Sequence, residues 1–154
     1  MPDYIPWIRE KVGHEEIFLN VAAIVVFDST NKVLLQKRSG TEELWGFPGG
    51  MMELGESAAE TAIREVWEET GLKVKIDSLL GVYTKYYDEY PNGDKGQPIA
   101  IVFKGSIVGG ELRVDEKETF ELRFYELEKA PELFNRQHND ILDDIRNHRS
   151  GVYR

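Results

Sequence analysis

The chain has 154 residues, 41% of them hydrophobic and 31% charged, and its 28 acidic and 19 basic side chains leave a formal net charge of −9. That length suits one domain over residues 1–154, and the acidic balance argues against nonspecific binding to nucleic acid or to an anionic membrane through a basic face. The absence of cysteine removes disulfides, thiolate metal sites and cysteine nucleophiles; MPDYIPWIREKVGHEE lacks the basic and apolar regions of a secretory leader, and the longest apolar run, Val21–Phe27, is far too short to span a bilayer, so the expectation is a soluble, cytoplasmic protein.

Along the chain, VAAIVVFD (Val21–Asp28) is compact, apolar and rich in β-branched residues, which predicts a buried strand. Ser29-Thr30-Asn31 is a turn, KVLLQKR (Lys32–Arg38) returns as a second strand, and Ser39–Glu43 is a polar loop. LWGFPGG (Leu44–Gly50) cannot be a helix, and its proline and glycines mark an irregular segment where backbone approaches a ligand closely. A helix follows. Leu72–Tyr87 reads as one or two strands, Asp88–Pro98 as a turn-rich loop centred on Asn92-Gly93, and Ile99–Val108 as a strand. Gly109-Gly110 reads as a turn, ELRV as a short strand, and Phe120–Leu127 as a half-buried strand with period-two alternation. Ile141, Leu142 and Ile145 make the apolar stripe of an amphipathic helix within Asn135–His148. The fold class predicted is α/β, a mixed sheet with helices on its faces.

The central helix is predicted over Ala58–Thr70. Ser57 with Glu60 forms a capping-box signature, and Gly71 is a C-terminal stop. Ala59, Ala62, Ile63, Val66, Trp67 and Thr70 form its expected buried face, with Glu65, Glu68 and Glu69 on the other side. At about 100° per residue, Glu65 and Glu69 lie roughly 40° apart and Glu68 roughly 60° to the other side of Glu65. Arg64 is within reach of Glu60 and Glu68. Such a patch is either a solvated acidic face or a site. Two facts favour a site: Glu68 and Glu69 occupy the helix end where the dipole disfavours acids, and the Gly-Gly loop upstream offers carbonyl oxygens. Clustered carboxylates and carbonyls are hard ligands suited to Mg²⁺ or Mn²⁺ rather than zinc.

Gly50, five residues, Glu56, seven residues, then Arg64-Glu65-Val66-Trp67-Glu68-Glu69-Thr70-Gly71-Leu72 resembles the complete Nudix box, with every fixed position filled. The resemblance covers residues 50–72 in the box and extends over roughly Val21–Pro131 through LLQKR, LWGFPGG and ETFELRFYELEKAP. It implies a Nudix-type α/β/α sandwich around a mixed central sheet. It also implies Mg²⁺- or Mn²⁺-dependent hydrolysis of the pyrophosphate bond in a nucleoside diphosphate linked to another moiety. The small-molecule nucleotide is then the partner, with no nucleic acid or membrane, and a homodimer is an available state.

The resemblance implies Glu65 and Glu69 as principal metal ligands, Glu68 as a further ligand, the Gly49 carbonyl as a backbone ligand, and Glu56 as a ligand through water or an outer group. Arg64 orients a glutamate or forms a surface ion pair. The general base is a box glutamate or one of Asp115, Glu116, Glu118 and Glu121, and the register of ETFELRF favours Glu118, then Glu121. For substrate contacts the candidates are Arg38 on phosphate and Trp45 and Phe47 on a base, each with a structural alternative, and Tyr83, Tyr86, Tyr87 and Tyr90 beside the variable loop. His14, His138 and His148 are scattered and receive no chemistry. The competing reading is a nucleotide-binding regulatory module of the same fold without turnover; isoprenoid diphosphate isomerisation is disfavoured because that branch relies on cysteine. Damaged nucleoside triphosphates, ADP-ribose, dinucleoside polyphosphates and sugar nucleotides all remain open as substrates.

Overall fold

A computed structural model describes residues 3–38, 44–114 and 119–154. The expected loop Ser39–Glu43 and the candidates Asp115, Glu116 and Glu118 lie outside the described residues. Among those described, a mixed sheet holds β1 (Ile17–Phe27), β2 (Val33–Arg38), β3 (Trp45–Gly46), β4 (Gly49–Met51), β5 (Leu72–Tyr83), β6 (Asp88–Glu89), β7 (Lys95–Gly110), β8 (Thr119–Tyr125) and β9 (Val152–Tyr153). Its spine runs β3-β2-β1-β7-β5-β9, with β4 on β1, β6 on β7 and β8 on β2. β1 pairs with β7, and β5 with β9, in parallel; the other pairs are antiparallel. The helices are α1 (Tyr4–Val12), α2 (Ala58–Thr70) and α3 (Arg136–Arg146), with a 3₁₀ turn at Leu127–Lys129.

The apolar run in β1 is continuous because both of its faces are buried. Ala22, Ile24 and Val26 pack with Leu34, Ala62 and Val66 on the α2 side. Ala23 and Val25 pack with Leu35, Phe47, Leu80, Val102, Ile141 and Ile145 on the α3 side. The result is the expected α/β/α sandwich. The β1–β2 turn is organised by Asp28 Oδ1, which accepts from the Thr30 and Lys32 amides at 2.8 and 2.9 Å.

Three expectations change. Gly109-Gly110 is not a turn and ELRV is not a strand: β7 continues through Gly110 because β5 starts at Leu72, and the pairs Leu72↔Gly110 and Lys73↔Gly109 extend the ladder. The Arg113 amide instead donates to the Thr70 carbonyl at 2.8 Å, folding residues 111–114 back over the end of α2. The segment Asp88–Pro98 is a hairpin rather than only a loop, since Asp88↔Gly96 and Glu89↔Lys95 pair around a tight turn with Gly93 at φ 92°. Helix α1 was not legible. It buries no residue fully and is held by polar anchors: Arg9 donates to the carbonyls of Gly13, Glu15 and Lys95 at 2.7–3.1 Å, and the Tyr4 amide donates to Glu53 Oε2 at 2.8 Å.

Helix α3 is locked to the sheet by Asp144. Its fully buried carboxylate accepts from Tyr83 Oη at 2.7 Å, from Arg149 Nη1 at 2.9 Å and from Arg154 Nη2 at 2.9 Å. Burial alone would raise this carboxyl, but the bonds from Arg154, Tyr83 and Arg149 outweigh it and hold it below the usual range. The network therefore stabilises the fold above the unfolded-state value and loses that contribution as pH falls through the lower folded-state value. Asp144→Asn is expected to cost about 2–3 kcal/mol at neutral pH by urea unfolding, with the gap to the parent closing in acid.

Candidate active site

Helix α2 is fixed at both ends by its own sequence. Ser57 Oγ accepts from the Glu60 amide at 3.1 Å while Glu60 Oε2 accepts from the Ser57 amide at 2.8 Å. Gly71 takes φ 76°, the left-handed conformation that lets the chain enter β5 at the next residue. The helix is rotated from its expected orientation. Ala62, Val66 and Thr70 face inward as predicted, but Ile63 and Trp67 are 38% and 41% exposed, and Thr61 and Glu69 are buried in their place. The inward face has turned by roughly 70° toward the glutamates. Trp67 is covered from outside by Lys73 and Arg113, 5.6 and 5.3 Å from its ring centroid.

Arg64 is the hub of the carboxylates. Its Nε and Nη2 donate to the two oxygens of Glu56 at 2.7 and 2.9 Å, and its Nη1 donates to Glu65 Oε1 at 2.9 Å and Glu68 Oε2 at 3.2 Å. Glu56 also accepts from the Glu53 amide and Thr61 Oγ1, both at 3.0 Å. The Arg64 bond, with these two donors, holds the Glu56 carboxyl down to about 2 despite burial. Both Glu56 oxygens are thus occupied within the chain. Glu68 is the outermost of the group, with half its side chain exposed.

Glu65 lies over Gly50. A Cβ on Gly50 would stand 2.5 Å from Glu65 Oε1 and 2.8 Å from Oε2, so only glycine leaves room for the carboxylate. Glu69, 4% exposed, hydrogen-bonds the side chains of Glu65 and Gln36, and its Oε2 is buried with no hydrogen-bond partner among the described residues. Burial pushes its carboxyl well above the usual range; Arg38 opposes that and Glu65 adds to it. A hydrogen bond between two carboxyl groups needs a proton on one of them. An orphaned buried oxygen beside a second carboxylate is a donor set that a hard divalent cation fits, releasing that proton.

The backbone of β4 supplies a further donor. The Ile24 amide bonds the Pro48 carbonyl and the Met52 amide bonds the Asn20 carbonyl, so in the antiparallel alternation Gly49 and Met51 turn their carbonyls away from β1. The Met51 carbonyl indeed meets Arg64 Nη2, at 3.4 Å. Among the described residues no three acidic or histidine side chains are placed to hold a metal by themselves, so Glu65 and Glu69 need backbone oxygens to extend the shell.

Beside Gly50 opens a cavity of about 430 Å³ lined by Arg38, Asp88, Tyr90, Phe134, Gln137 and His138 among others. Arg38 stands over the Phe134 ring at 5.6 Å. Burial raises the Asp88 carboxyl. His138, given no role from sequence, belongs to this wall. Its Nδ1 accepts from the Phe47 amide at 3.1 Å, and its ring stacks on Phe47 at 5.9 Å. The neutral ring therefore carries its proton on Nε2. Only its place in the first turn of α3 could have flagged it, and that required knowing where α3 docks.

The remaining candidates scatter. Trp45 and Phe47 are core residues and do not line the cavity: Phe47 is enclosed, and Trp45 packs edge-on against Tyr125 at 5.3 Å. Tyr87 lines a neighbouring cleft and donates to Glu89 at 3.2 Å. Tyr83 and Tyr86 donate to Asp144 and Asp140, both at 2.7 Å. Glu121 is ion-paired with Arg123 at 2.5 Å. Glu118 lies outside the described residues.

A model of the NUDIX domain matches residues 18–145. The ADP-ribose pyrophosphatase of Methanocaldococcus jannaschii is 36% identical over 140 residues, covering 88% of this chain and 79% of that protein. The MutT protein of Methanosarcina mazei Go1 superposes with a TM-score of 0.72 at 26% identity, over 87% of this chain and 96% of that one. A UDP-X diphosphatase shares the fold with a TM-score of 0.68 at 22% identity, over 95% of this chain and 71% of that one. No described helix is long and apolar enough to cross a membrane.

Burial, reinforced by Arg38, lowers the His138 imidazole to about 3 from the usual 6.5. As pH falls below 6.5 the unfolded chain takes up a proton that the fold refuses, so stability falls by about 1.4 kcal/mol per pH unit. Between pH 6.5 and pH 5 the loss from this group is about 2 kcal/mol. In His138→Asn, where an amide oxygen can accept from Phe47, urea unfolding is expected to show that much less acid sensitivity over the same interval.

Proposed function

The chain belongs to the NUDIX family and is a hydrolase of phosphoanhydride bonds, and from that premise we propose that it is a nucleoside diphosphate-X pyrophosphohydrolase dependent on Mg²⁺ or Mn²⁺. The observation that carries the reading is the Glu65–Glu69 carboxyl pair set against Gly50, with one buried oxygen left without a partner among the described residues. Glu65 and Glu69 would hold the cation, joined by the Gly49 carbonyl and the outer Glu68. Glu56 acts through Arg64 instead of touching metal, because its oxygens are already filled. When bound, the cation would neutralise phosphate oxygens and make a coordinated water easier to deprotonate.

The chain's own groups do the rest. Arg64 holds Glu65 and Glu68 in one orientation from a guanidinium anchored on Glu56. Arg38 places positive charge on the cavity wall where a phosphate enters. Water oxygen bonds to one phosphorus as the bridging P–O bond breaks; the bridging oxygen leaves with its electron pair, giving a nucleoside monophosphate and phosphorylated X. The attacking water's proton passes to a carboxylate, assigned here to Glu118. It directly precedes Thr119, whose hydroxyl donates to Gln36 Oε1 at 3.2 Å, and Gln36 in turn bonds Glu69. Glu121 is the weaker choice because Arg123 occupies it. A nucleotide substrate agrees with the cytoplasmic location read from the sequence. A regulatory module without turnover is disfavoured because every box acid is present.

Hydrolysis of a nucleotide library with Mg²⁺ and Mn²⁺, products identified by mass, tests the reading, and release of a nucleoside monophosphate from diphosphate-linked substrates is expected. Glu69→Gln should lower kcat by about a thousandfold, the equivalent of roughly 4 kcal/mol, with the fold retained. Arg64→Gln should lower it about 10- to 100-fold. Gly50→Ala should abolish activity by displacing Glu65, with circular dichroism unchanged. Tight nucleotide binding with no turnover across the library would instead support the regulatory module.

A further inference from the structure

A second chamber, of about 420 Å³, opens between α1 and the Tyr90–Asp94 turn. It shares Met51 and Tyr90 with the cavity beside Gly50, so the two meet beside β4, the strand over which Glu65 lies. A phosphoanhydride at Gly50 would therefore have a second chamber adjoining its own, and the two differ in character. The Gly50 cavity presents Arg38, Asp88 and His138. The second chamber is walled by Ile5, Leu19, Met51, Tyr90 and Pro91, and its charged members are already engaged elsewhere. Arg9 donates to three carbonyls and stands 3.6 Å from Asp94, while Asp94 also bonds His14 at 2.7 Å and Asn92 at 3.2 Å. The Arg9 guanidinium, whose buried Nε makes no hydrogen bond to a described residue, faces the Asp94 carboxylate, so each offsets the charge of the other. The chamber is also fastened to the site: the Tyr4 amide of α1 donates to Glu53, whose own amide donates to Glu56.

Resting on the pyrophosphohydrolase reading, we propose that this chamber seats the X half of the substrate, and that X carries a flat, uncharged heteroaromatic ring rather than ending in a bare sugar. Ring faces pack against Ile5, Pro91 and Tyr90, and the Met51 thioether suits a ring edge. The substrate class is a dinucleoside diphosphate, cleaved by water into two nucleoside monophosphates.

The test compares two substrates that share the ADP half and differ in X: diadenosine diphosphate, with a ring, and ADP-ribose, without one. With Mg²⁺ the full chain should show kcat/KM for diadenosine diphosphate about tenfold above that for ADP-ribose. Ile5→Trp, which fills the chamber, should reduce the first about tenfold and the second less than about twofold; Ile5→Ala should reduce the first about threefold. Calorimetric titration of both compounds in EDTA should show the same Ile5 selectivity in Kd without turnover. Equal effects on both compounds, or none in a variant whose melting is unchanged, would overturn the proposal while leaving the hydrolase intact. Ile5-dependent binding in EDTA, with no hydrolysis of either compound once Mg²⁺ or Mn²⁺ is supplied, would sink the hydrolase and keep the chamber as a ring site. A change in molar mass by light scattering in Ile5→Trp would show a contact between two copies and overturn it.

Discussion

The constraint on which the rest depends is the confinement of two carboxyl groups, Glu65 and Glu69, on one buried stretch of helix. Taken alone it is unfavourable: like charges adjoin, water is excluded, and the helix dipole at that end repels acids. The surroundings meet each cost with a specific group. Gln36 bonds Glu69, Arg38 opposes its burial, and Arg64 shares a guanidinium between Glu65 and Glu68 while standing on Glu56. One oxygen of Glu69 is left unanswered among the described residues. A buried acceptor without a donor costs about 1–3 kcal/mol, so its retention points to a partner beyond them.

The sheet keeps that arrangement in place. Residues on both faces of β1 are core, which sets α2 on one side and α3 on the other at fixed distances from β4. Gly50 can only serve Glu65 because the ladder Val21↔Met51 to Ala23↔Gly49 pins β4 beneath the helix. From the opposite layer, Asp144 ties α3 to Tyr83, and α3 brings His138 and Gln137 into the cavity wall. The neutral state of His138 follows from the same packing: a ring between Phe47 and Phe134 that accepts an amide proton cannot also be charged without losing that bond.

Much of this was legible from residue order. The bounds of α2, its capping box and its glycine stop follow from local chemistry, which acts within a few residues and is carried by Ser57, Glu60 and Gly71. The rotation of α2 was not, because apolarity favoured Ile63 and Trp67 as inward residues, and only the distant Gln36 and Arg38 make burial of Glu69 tolerable. The cavity wall was half legible: Arg38 was found from its strand, whereas Asp88, Phe134 and His138 come from a hairpin and a helix start that meet only in the folded sheet. Trp45 and Phe47, read as base-stacking candidates from a Gly- and Pro-rich segment, send their rings to the core instead. Helix α1 escaped because its attachment is through backbone carbonyls, which no side-chain pattern reveals.

The three residues of β4 bind chemistry to selectivity. Gly49 turns a carbonyl out of the ladder, Gly50 vacates the volume that Glu65 fills, and Met51 forms a wall common to both chambers. A side chain at the second position, or a register slip of one residue, would move all three functions at once, since successive residues on a strand face opposite sides. The hairpin Asp88–Lys95 is attached to β7 instead, and can change its turn without disturbing that register. The fold thereby separates what must stay fixed, the carboxylates over β4, from what can vary, the ring of residues from α1 and the Tyr90–Asp94 turn.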